Sequence, residues 1–380
     1  MSEKFIPIKI VPTASFSNGG IRHWPVPDQL LPSIGNLRDQ RHRSLHDLRI
    51  SVTDRCNFRC TYCMPKEVFT KDYPYLSHAE LLSFEEITRL TKIFVAHGVR
   101  KIRLTGGEPL LRKNIEDLVA MLAAIRTPDG EALDLTLTTN GSLLRKKALS
   151  LRAAGLKRLT VSLDALDDSI FKSMNDVDFP VDDVLDGLHA AREAGFERIK
   201  INMVVKKGVN EHEIIPMVNY FKNTPHILRF IEFMDVGDSN AWQAQDVLKT
   251  DDILALLAQA GFPLQPLPPQ QAGETAQRFQ HQDGSAELGF ISSVSHAFCR
   301  DCNRARLSTQ GMLYTCLFAS EGHDLREHLR SSASTSNIDA IVSNIIRNIW
   351  EARDDRYSEL RDIERQSTQR KKIEMSYIGG

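Results

Sequence analysis

The sequence predicts an α/β protein whose parallel strands form an open or incomplete barrel. Two observations support this prediction: short strand-like runs alternate with amphipathic helical segments, and apolar and polar side chains alternate within the runs. Regular alternation of strand and helix is typical of βα units, which build parallel sheets. The six strand-like runs are Leu48–Val52, Lys101–Thr105, Leu133–Thr139, Arg158–Leu163, Ile199–Val205 and Leu228–Met234.

The two faces of these runs differ in polarity. A barrel strand that is buried on both faces reads as a nearly continuous apolar run. Here only one face is apolar, and the opposite face carries Arg49, Arg103, Thr138, Ser162 and Lys200. That face would line a wet, partly cationic interior able to hold a large polar ligand. An antiparallel sheet with one solvated face is the alternative, and the helices between the strands favour the parallel arrangement.

The chain divides into three predicted regions. An irregular N-terminal arm covers residues 1–45, the barrel covers residues 46–245, and a C-terminal α+β region covers residues 246–380. The predicted barrel helices are Ala79–His97, Ile115–Ile125, Leu143–Ala154, Val181–Ala194 and Glu211–Phe221. The C-terminal elements are predicted to be helices at Ile253–Ala260, Asp324–Leu329 and Ile338–Trp350, a loop at Phe262–Gly273, and short strands near Arg278–Gln282 and Glu287–Ser292.

The composition excludes several classes of function. The 48 Lys and Arg residues nearly balance the 49 Asp and Glu residues, which leaves a net charge of −1. A chain this close to neutral has no overall field for nucleic acid or an anionic membrane, so charged ligands must bind locally. We recognise no membrane-spanning apolar segment and no secretory signal, and we therefore expect a cytoplasmic protein.

All six cysteines fall into two trios, and the first is Cys56, Cys60 and Cys63. It directly follows the first strand-like run, at the end of a parallel barrel where chemistry is usually placed. Without a secretion signal, such clustering favours metal binding over disulfides. Three thiolates fit around a four-iron cluster and leave one iron open to another ligand. Structural zinc is the alternative, but closed zinc sites use four ligands and no fourth lies close by.

The first trio, the turn Gly106-Gly107-Glu108-Pro109 after the second strand, and Tyr62 together resemble the radical S-adenosylmethionine superfamily. The resemblance implies that a 4Fe–4S cluster binds S-adenosylmethionine and cleaves it to a 5′-deoxyadenosyl radical. It also implies that Tyr62, Gly107, Ser162 and Met234 lie at the S-adenosylmethionine site. Glycine suits such a site because backbone groups can approach a ligand closely where no Cβ intervenes.

The second trio, Cys299, Cys302 and Cys316, again offers three thiolates. A structural zinc ion completed by His296 is one interpretation of this spacing. A second iron–sulfur cluster with one open iron is the other.

Arginines beside the second trio point to an anionic ligand. Arg304 and Arg306 follow Cys302 closely and share one face if the segment is extended. With Arg49, Arg103 and Lys200 they supply five positive charges to the interior, and guanidinium groups match phosphate oxygens well. No Gly-x4-Gly-Lys-Ser/Thr loop is present, so side-chain charge would have to hold a nucleotide.

Two cysteine trios, the Arg-x-Arg pair and the terminal Gly379-Gly380 closely resemble the GTP 3′,8-cyclase family. The resemblance spans Leu48 to Gly380 and implies an incomplete (β/α)6 barrel, covered on its open side by a C-terminal region with a second 4Fe–4S cluster. It implies hydrogen abstraction from C3′ of GTP, attack on C8 of guanine and formation of 3′,8-cyclo-7,8-dihydro-GTP, the first step of molybdenum cofactor biosynthesis. The implied GTP-binding residues are Arg49, Arg103, Thr138, Lys200, Arg304 and Arg306.

The same resemblance implies further roles and partners. Gly379 and Gly380 would reach into the active site and act in catalysis together with Arg304, Arg306 and the first trio. A homodimer, a flavodoxin-like reductant and a downstream cyclic pyranopterin monophosphate synthase are the implied partners. Two alternatives stay open: a radical enzyme that modifies peptide or RNA and carries an auxiliary cluster, and a zinc-stabilised binding module.

Overall fold

The computed structural model describes residues 20–331, 335–361 and 371–380. Within these ranges the strands are β1 (Gly20–Arg22), β2 (Asp47–Ser51), β3 (Lys101–Thr105), β4 (Asp134–Thr139), β5 (Arg158–Ser162), β6 (Lys200–Val205), β7 (Ile227–Glu232), β8 (Leu264–Leu267), β9 (Gln277–His281), β10 (Glu287–Ile291), β11 (Arg304–Leu307), β12 (Met312–Tyr314) and β13 (Glu321–Asp324). The helices are α1 (Phe84–Ala96), α2 (Ile115–Ala123), α3 (Leu144–Ala153), α4 (Asp168–Asn175), α5 (Val181–Glu193), α6 (Ile214–Phe221), α7 (Thr250–Gln259), α8 (Arg326–Leu329), α9 (Thr335–Glu351) and α10 (Met375–Ile378). None of the helices in these ranges is long and apolar enough to cross a bilayer.

The described strands form one sheet in the order β1-β13-β12-β11-β2-β3-β4-β5-β6-β7-β10-β9-β8. Strands β2 to β7 are consecutive neighbours and pair in parallel. The predicted parallel arrangement is therefore confirmed, and the antiparallel alternative is wrong. The C-terminal region adds one parallel strand on each side, because β11 pairs with β2 and β10 pairs with β7. The division after residue 245 stays a prediction.

The apolar faces of the barrel strands pack into one core with the surrounding helices. Leu48, Leu104 and Val161 are fully buried, and they share a cluster with Phe94 of α1 and Trp350 of α9. Burying one such aliphatic side chain contributes about 1.5–3 kcal/mol. A slip of one residue would turn the whole apolar face away from the core, so packing fixes the register. The polar face is thereby directed to the barrel interior.

Several short elements differ from the predictions. Part of the predicted irregular arm forms β1, which pairs with β13, while residues 1–19 lie outside the described residues. The predicted loop Phe262–Gly273 contains β8, and β11, β12 and β13 were not predicted as strands. Helix α4 was also missed. Strands of three or four residues are too short to show a reliable alternation of apolar and polar side chains.

Candidate active site

The first cysteine trio lies on the loop that follows β2. A tight turn joins two of its members, since the carbonyl of Cys60 accepts the N–H of Cys63 at 2.9 Å. Arg59 braces the loop through Nη1, which donates to the carbonyls of Cys56 and Phe58, both at 2.8 Å. All three cysteines are free thiols and partly buried. The structure thus places all three cysteines on one loop, and their binding of a cluster stays a prediction.

The surroundings of the three thiols in this trio are suited to binding the positively charged irons of a cluster. Burial, and then the nearby Glu108 carboxylate, raises the pKa of the Cys56 thiol to about 12. Burial and the two neighbouring cysteines also raise the pKa of Cys60. Ionising these thiols therefore requires a positive group beside them, which cluster irons supply. The N–H of Phe58 and the side-chain amide of Asn140 lie 3.4 and 3.8 Å from Cys56 Sγ, as donors to a ligating sulfur do.

Tyr62 connects the cysteine loop to the neighbouring strands. Its hydroxyl donates to Asp164 Oδ2 at 2.7 Å, and Asp164 Oδ1 accepts the N–H of Val204 at 2.8 Å. Burial raises the pKa of Asp164 to about 6. The orientation of the Tyr62 ring is therefore fixed by the ends of β5 and β6. Its predicted contact with S-adenosylmethionine stays a prediction.

The glycine-rich turn after β3 packs directly against the cysteine loop. A Cβ on Gly107 would overlap the backbone carbonyl of Arg55, so no larger residue fits there. Glu108 accepts hydrogen bonds from Thr139 Oγ1 at 2.8 Å and from the N–H of Asn140 at 2.7 Å. Burial raises the pKa of Glu108 to about 7. These hydrogen bonds make Glu108 a structural link between the ends of β3 and β4.

Ser162 and Met234 lie at the same end of the sheet as the first trio. Ser162 ends β5, is partly buried and pairs in register with Asn202 of β6. Met234 follows β7, and its carbonyl accepts from the N–H of Val236 and from Asn240 Nδ2, both at 3.0 Å. The carboxyl ends of parallel strands are where barrel enzymes place their chemistry. The position of both residues is therefore consistent with their predicted role.

The second trio lies at the opposite end of the strands. Cys302 lies two residues before β11, which runs parallel to β2, whereas Cys56 follows β2. A strand of five residues spans about 17 Å, so the two trios are separated by roughly that distance. A short turn joins Cys299 to Cys302, whose N–H donates to the Cys299 carbonyl at 3.2 Å. Cys316 follows β12 and interacts electrostatically with Cys302.

Positive side chains surround part of the second trio. Burial raises the pKa of Cys302, but Arg304 and Arg353 outweigh it and lower that pKa to about 6. Burial, and then the carboxylate of Asp355, raises the pKa of Cys316 to about 12. Arg353 Nη2 donates to Cys302 Sγ at 3.3 Å. Cys302 is therefore prepared to act as a thiolate ligand.

The zinc interpretation of this trio required His296 as a fourth ligand. His296 is exposed, and its Nδ1 lies 3.1 Å from Ser295 Oγ. Across residues 20–331, 335–361 and 371–380, no group of three His, Cys, Asp or Glu side chains could hold a single metal ion.

A group of cations lies on the polar face of the barrel strands and on β11. We call it the cation row, and it comprises Arg49, Arg103, Lys200, Arg229, Arg304 and Arg306. In the part of the chain that the structure describes, the buried Nε atoms of Arg49, Arg103 and Arg229 have no hydrogen-bond partner. Burial, and then Arg229, lowers the pKa of Lys200 to about 7. Such a set of buried, poorly neutralised charges is unfavourable unless an anion binds.

Thr138 and Arg103 form one contact within this set, as Arg103 Nη1 donates to Thr138 Oγ1 at 3.0 Å. Both residues were predicted to bind the substrate. Burial lowers the pKa of Arg103, and burial together with Arg306 and Arg103 lowers that of Arg49. The predicted interior residues are therefore brought together as a charged surface.

Arg229 is a member of the cation row that the sequence predictions missed. It lies on β7 opposite Asn202 of β6, and its Nη2 donates to Asn202 Oδ1 at 2.6 Å. Burial and neighbouring arginines lower its pKa to about 9. A signal was available in the sequence, because Arg229 interrupts the apolar residues Leu228 and Phe230 in the same alternation that identified Arg49.

Strand β11 brings the two C-terminal arginines to the interior of the barrel. Arg304 Nη1 donates to Thr275 Oγ1 at 3.1 Å. Arg306 Nη1 donates to the carbonyl of Gly379. A Cβ on Gly379 would overlap the side chain of Thr105 at the end of β3. The chain terminus therefore lies inside the barrel, between β3 and β11.

Comparison with protein families agrees with this architecture. Residues 50–221 match the family described as Radical SAM superfamily, and residues 226–359 match Molybdenum Cofactor Synthesis C. The fold and the first trio together define a radical S-adenosylmethionine enzyme, a class that uses a 4Fe–4S cluster and S-adenosylmethionine. The free thiols and the close approach at Gly107 fit these groups.

Curated relatives narrow the class further. The chain is 49% identical over 363 residues to the GTP 3′,8-cyclase of Acidothermus cellulolyticus, which covers 90% of this chain and 99% of that protein. It is 48% identical over 348 residues to that of Xanthomonas campestris pv. campestris strain B100 (92% and 98%), and 47% identical over 346 residues to that of Staphylococcus epidermidis strain RP62A (90% and 99%). The chain belongs to the GTP 3′,8-cyclase family.

A solved structure supports the fold alone. The crystal structure of Streptococcus suis SuiB bound to the precursor peptide SuiA is similar with a TM-score of 0.56 at 14% identity. The match covers 85% of this chain and 68% of that chain.

Proposed function

We propose that the protein converts GTP to 3′,8-cyclo-7,8-dihydro-GTP, the first step of molybdenum cofactor biosynthesis. The observation that carries this proposal is the cation row between two cysteine trios. Family membership names the activity of the relatives. In the described part of the chain, the buried Nε atoms of Arg49, Arg103 and Arg229 have no hydrogen-bond partner, which supports a nucleoside triphosphate as the ligand of this interior.

The triphosphate would bind to the cations on the barrel strands. Arg103, Lys200 and Arg229 offer two guanidinium groups and one ammonium group, and guanidinium forks match phosphate oxygens in pairs. The hydrogen bond from Arg103 to Thr138 holds one of these forks in place. Binding would neutralise charges that are costly in the free protein, so part of the affinity comes from relief of their mutual repulsion.

The nucleoside would bind towards β11 and the second trio. Arg49, Arg304 and Arg306 would hold this part of GTP, since strand pairing places Arg306 opposite Arg49. We further propose that Cys299, Cys302 and Cys316 hold a second 4Fe–4S cluster, whose open iron would be available to the guanine edge. The donor set supports this part of the proposal, because Arg304 and Arg353 favour the thiolate of Cys302.

The first cluster and S-adenosylmethionine, when bound, supply a 5′-deoxyadenosyl radical that takes the 3′ hydrogen of GTP. The residues of the chain must then hold the ribose rigidly and exclude water, because a primary carbon radical reacts with almost any C–H bond within reach. Gly379 and Gly380, with Gly379 fixed between Thr105 and Arg306, are suited to close the site. C3′ of GTP then bonds to C8 of guanine, and one electron and one proton complete a product isomeric with GTP.

Anaerobic turnover of the reconstituted full-length protein tests the proposal. We expect GTP, and neither ATP nor peptides, to stimulate 5′-deoxyadenosine formation and to yield an isomer of GTP that separates from GTP by chromatography. Replacing Cys60 by Ser should abolish both signals. Stimulation by a peptide or an RNA without a nucleotide product would contradict the proposal and favour a modifying enzyme.

We also propose a cytoplasmic homodimer that receives electrons from a flavodoxin-like protein and passes its product to a cyclic pyranopterin monophosphate synthase. Resemblance to the family supports these partners. Light scattering of the purified protein tests the dimer, and reduction of the first cluster by purified flavodoxin tests the electron donor.

A further inference from the structure

A buried ionic network connects the N-terminal arm, helix α9 and the second trio. Its centre is Asp39, whose side chain is 0% exposed. Asp39 Oδ2 accepts from Arg43 Nε at 2.6 Å and from Arg353 Nη1 at 3.1 Å. The arm therefore supplies the counter-charge for an arginine that lies just beyond α9.

Arg43 and Arg353 also donate hydrogen bonds to the loop that carries Cys299 and Cys302. Arg43 Nη1 donates to the carbonyl of Cys299 at 2.8 Å, and Arg353 Nη1 donates to the carbonyl of Cys302 at 2.8 Å. Arg353 Nη2 donates to Cys302 Sγ at 3.3 Å. In the part of the chain that the structure describes, the buried Nη2 of Arg43 has no hydrogen-bond partner. One donor is thus already on the sulfur, and another remains available beside the trio.

The orientation of Arg353 is fixed on every side. Its Nε lies 3.2 Å from Asp355 Oδ2, and its guanidinium group stacks 4.5 Å from the ring centroid of Trp350. The Trp350 indole in turn donates to the carbonyl of Arg43 at 3.1 Å. The side chain of Arg353 is 1% exposed, so solvent does not screen its charge.

We propose that Arg353 tunes the second iron–sulfur cluster by donating a charged hydrogen bond to Cys302, and that Asp39 positions Arg353 and moderates its charge. This inference rests on the proposed second cluster. A cationic donor to a ligating sulfur stabilises the reduced, more negative cluster and raises its midpoint potential. Asp39 opposes that effect because its negative charge lies against the same guanidinium group. Arg353 is a positioning and tuning residue and does not touch the substrate in this scheme.

Substitutions of Arg353 and of Asp39 should shift the midpoint potential of the second cluster in opposite directions. Replacing Arg353 by Met removes one positive charge and the donor to sulfur, so the midpoint potential should fall. Replacing Asp39 by Asn removes one negative charge and leaves the guanidinium uncompensated, so the potential should rise. A purely structural role would not produce shifts of opposite sign.

The experiment uses full-length protein with Cys56, Cys60 and Cys63 replaced by Ala, so that only the second trio binds iron. After anaerobic reconstitution, iron analysis and a redox titration followed by electron paramagnetic resonance give the cluster content and its potential. Arg347→Met is the matched control, because Arg347 is on α9 and pairs with Glu351 at 3.0 Å. The control should keep the parent potential.

The possible outcomes are distinct. About four irons, a lowered potential in Arg353→Met and a raised one in Asp39→Asn support the inference. If Arg353→Met binds no iron, Arg353→Lys is titrated instead. A potential below that of the parent then supports the inference, because the lysine keeps the charge but loses the guanidinium fork. Unchanged potentials, or shifts of the same sign in both variants, overturn this inference but leave the proposed second cluster intact. A parent protein without iron at the second trio overturns the proposed cluster and this inference with it.

Discussion

Arg306 on β11 donates a hydrogen bond to the carbonyl of Gly379, the penultimate residue of the chain. Ile378, next to it, is fully buried and packs in a cluster with Met312 and Tyr314. A hydrogen bond and apolar packing therefore both hold the end of the chain in place, although terminal residues of most proteins are poorly held.

Gly379→Ala should displace this terminus. A Cβ would overlap the Thr105 side chain, and the backbone φ of 78° disfavours any residue with a side chain. We expect GTP-stimulated formation of 5′-deoxyadenosine to fall by about 5–30-fold, the effect of roughly 1–2 kcal/mol of strain. Gly261→Ala is the control, since its φ is 83° but nothing lies within 4 Å of the added Cβ. Equal losses in both variants would show that the overlap with Thr105 is irrelevant.

Lys200 should give GTP binding a dependence on pH. Its pKa is lowered to about 7 in the free protein by burial and then by Arg229, and a bound triphosphate would raise it again. Binding above pH 7 therefore takes up a proton, so the affinity should fall as the pH rises, by up to about tenfold per unit. Below pH 7 Lys200 is already charged and this contribution disappears. Calorimetric titration in buffers of different ionisation enthalpy measures the proton uptake.

Lys200→Arg is the matched control for this effect. A guanidinium group stays charged over the whole range, while the phosphates of GTP titrate identically in both proteins. The variant should therefore bind GTP without the fall in affinity above pH 7. The same pH profile in both proteins would rule out Lys200 as its source.

Arg229→Met should change stability and binding in opposite directions. The free protein should melt at a higher temperature, because a buried and poorly neutralised charge is removed. GTP affinity should fall by about 10–100-fold, which corresponds to the loss of one charge-assisted contact worth about 1.5–3 kcal/mol. Thermal melts with and without GTP measure both effects. Arg198→Met, which removes an exposed arginine paired with Glu287, should show neither; a loss of GTP affinity there would undermine the assignment.

Cys60→Ala and Cys302→Ala should separate the two metal sites. Each variant should lose about four of about eight irons per chain. Only Cys60→Ala should lose cleavage of S-adenosylmethionine altogether, whereas Cys302→Ala should keep a basal rate without stimulation by GTP. Iron analysis and 5′-deoxyadenosine assays on the same samples provide the measurement. Loss of all iron in either variant would contradict two independent sites.

Features that depend on local sequence could be predicted. The barrel strands show an alternation of apolar and polar side chains over five or six residues, and the structure places each within two residues of its predicted bounds. The first trio was recognisable because Cys56, Cys60 and Cys63 lie within one loop. Spacing along the chain and proximity in space are nearly equivalent at this scale.

Features that depend on contacts between residues far apart in the sequence could not be predicted. Nothing around Asp39 is periodic, and its role becomes visible only when Arg353, more than three hundred residues away, is seen against it at 3.1 Å. The strand β11 has only four residues and owes its conformation to pairing with β2. Arg229 was accessible in principle, and was missed because the polar face of its strand was not considered.

The pairing of β11 with β2 has a consequence for substrate choice. Arg304 pairs with Asp47 and Leu307 pairs with Ile50, so the strands next to the two cysteine trios belong to one hydrogen-bonded sheet. The pairing of these two strands therefore sets the spacing between the two trios. A substrate that is too short to reach both cysteine trios at once would lose the contacts at one of them. We therefore expect the protein to select its substrate by length as well as by charge.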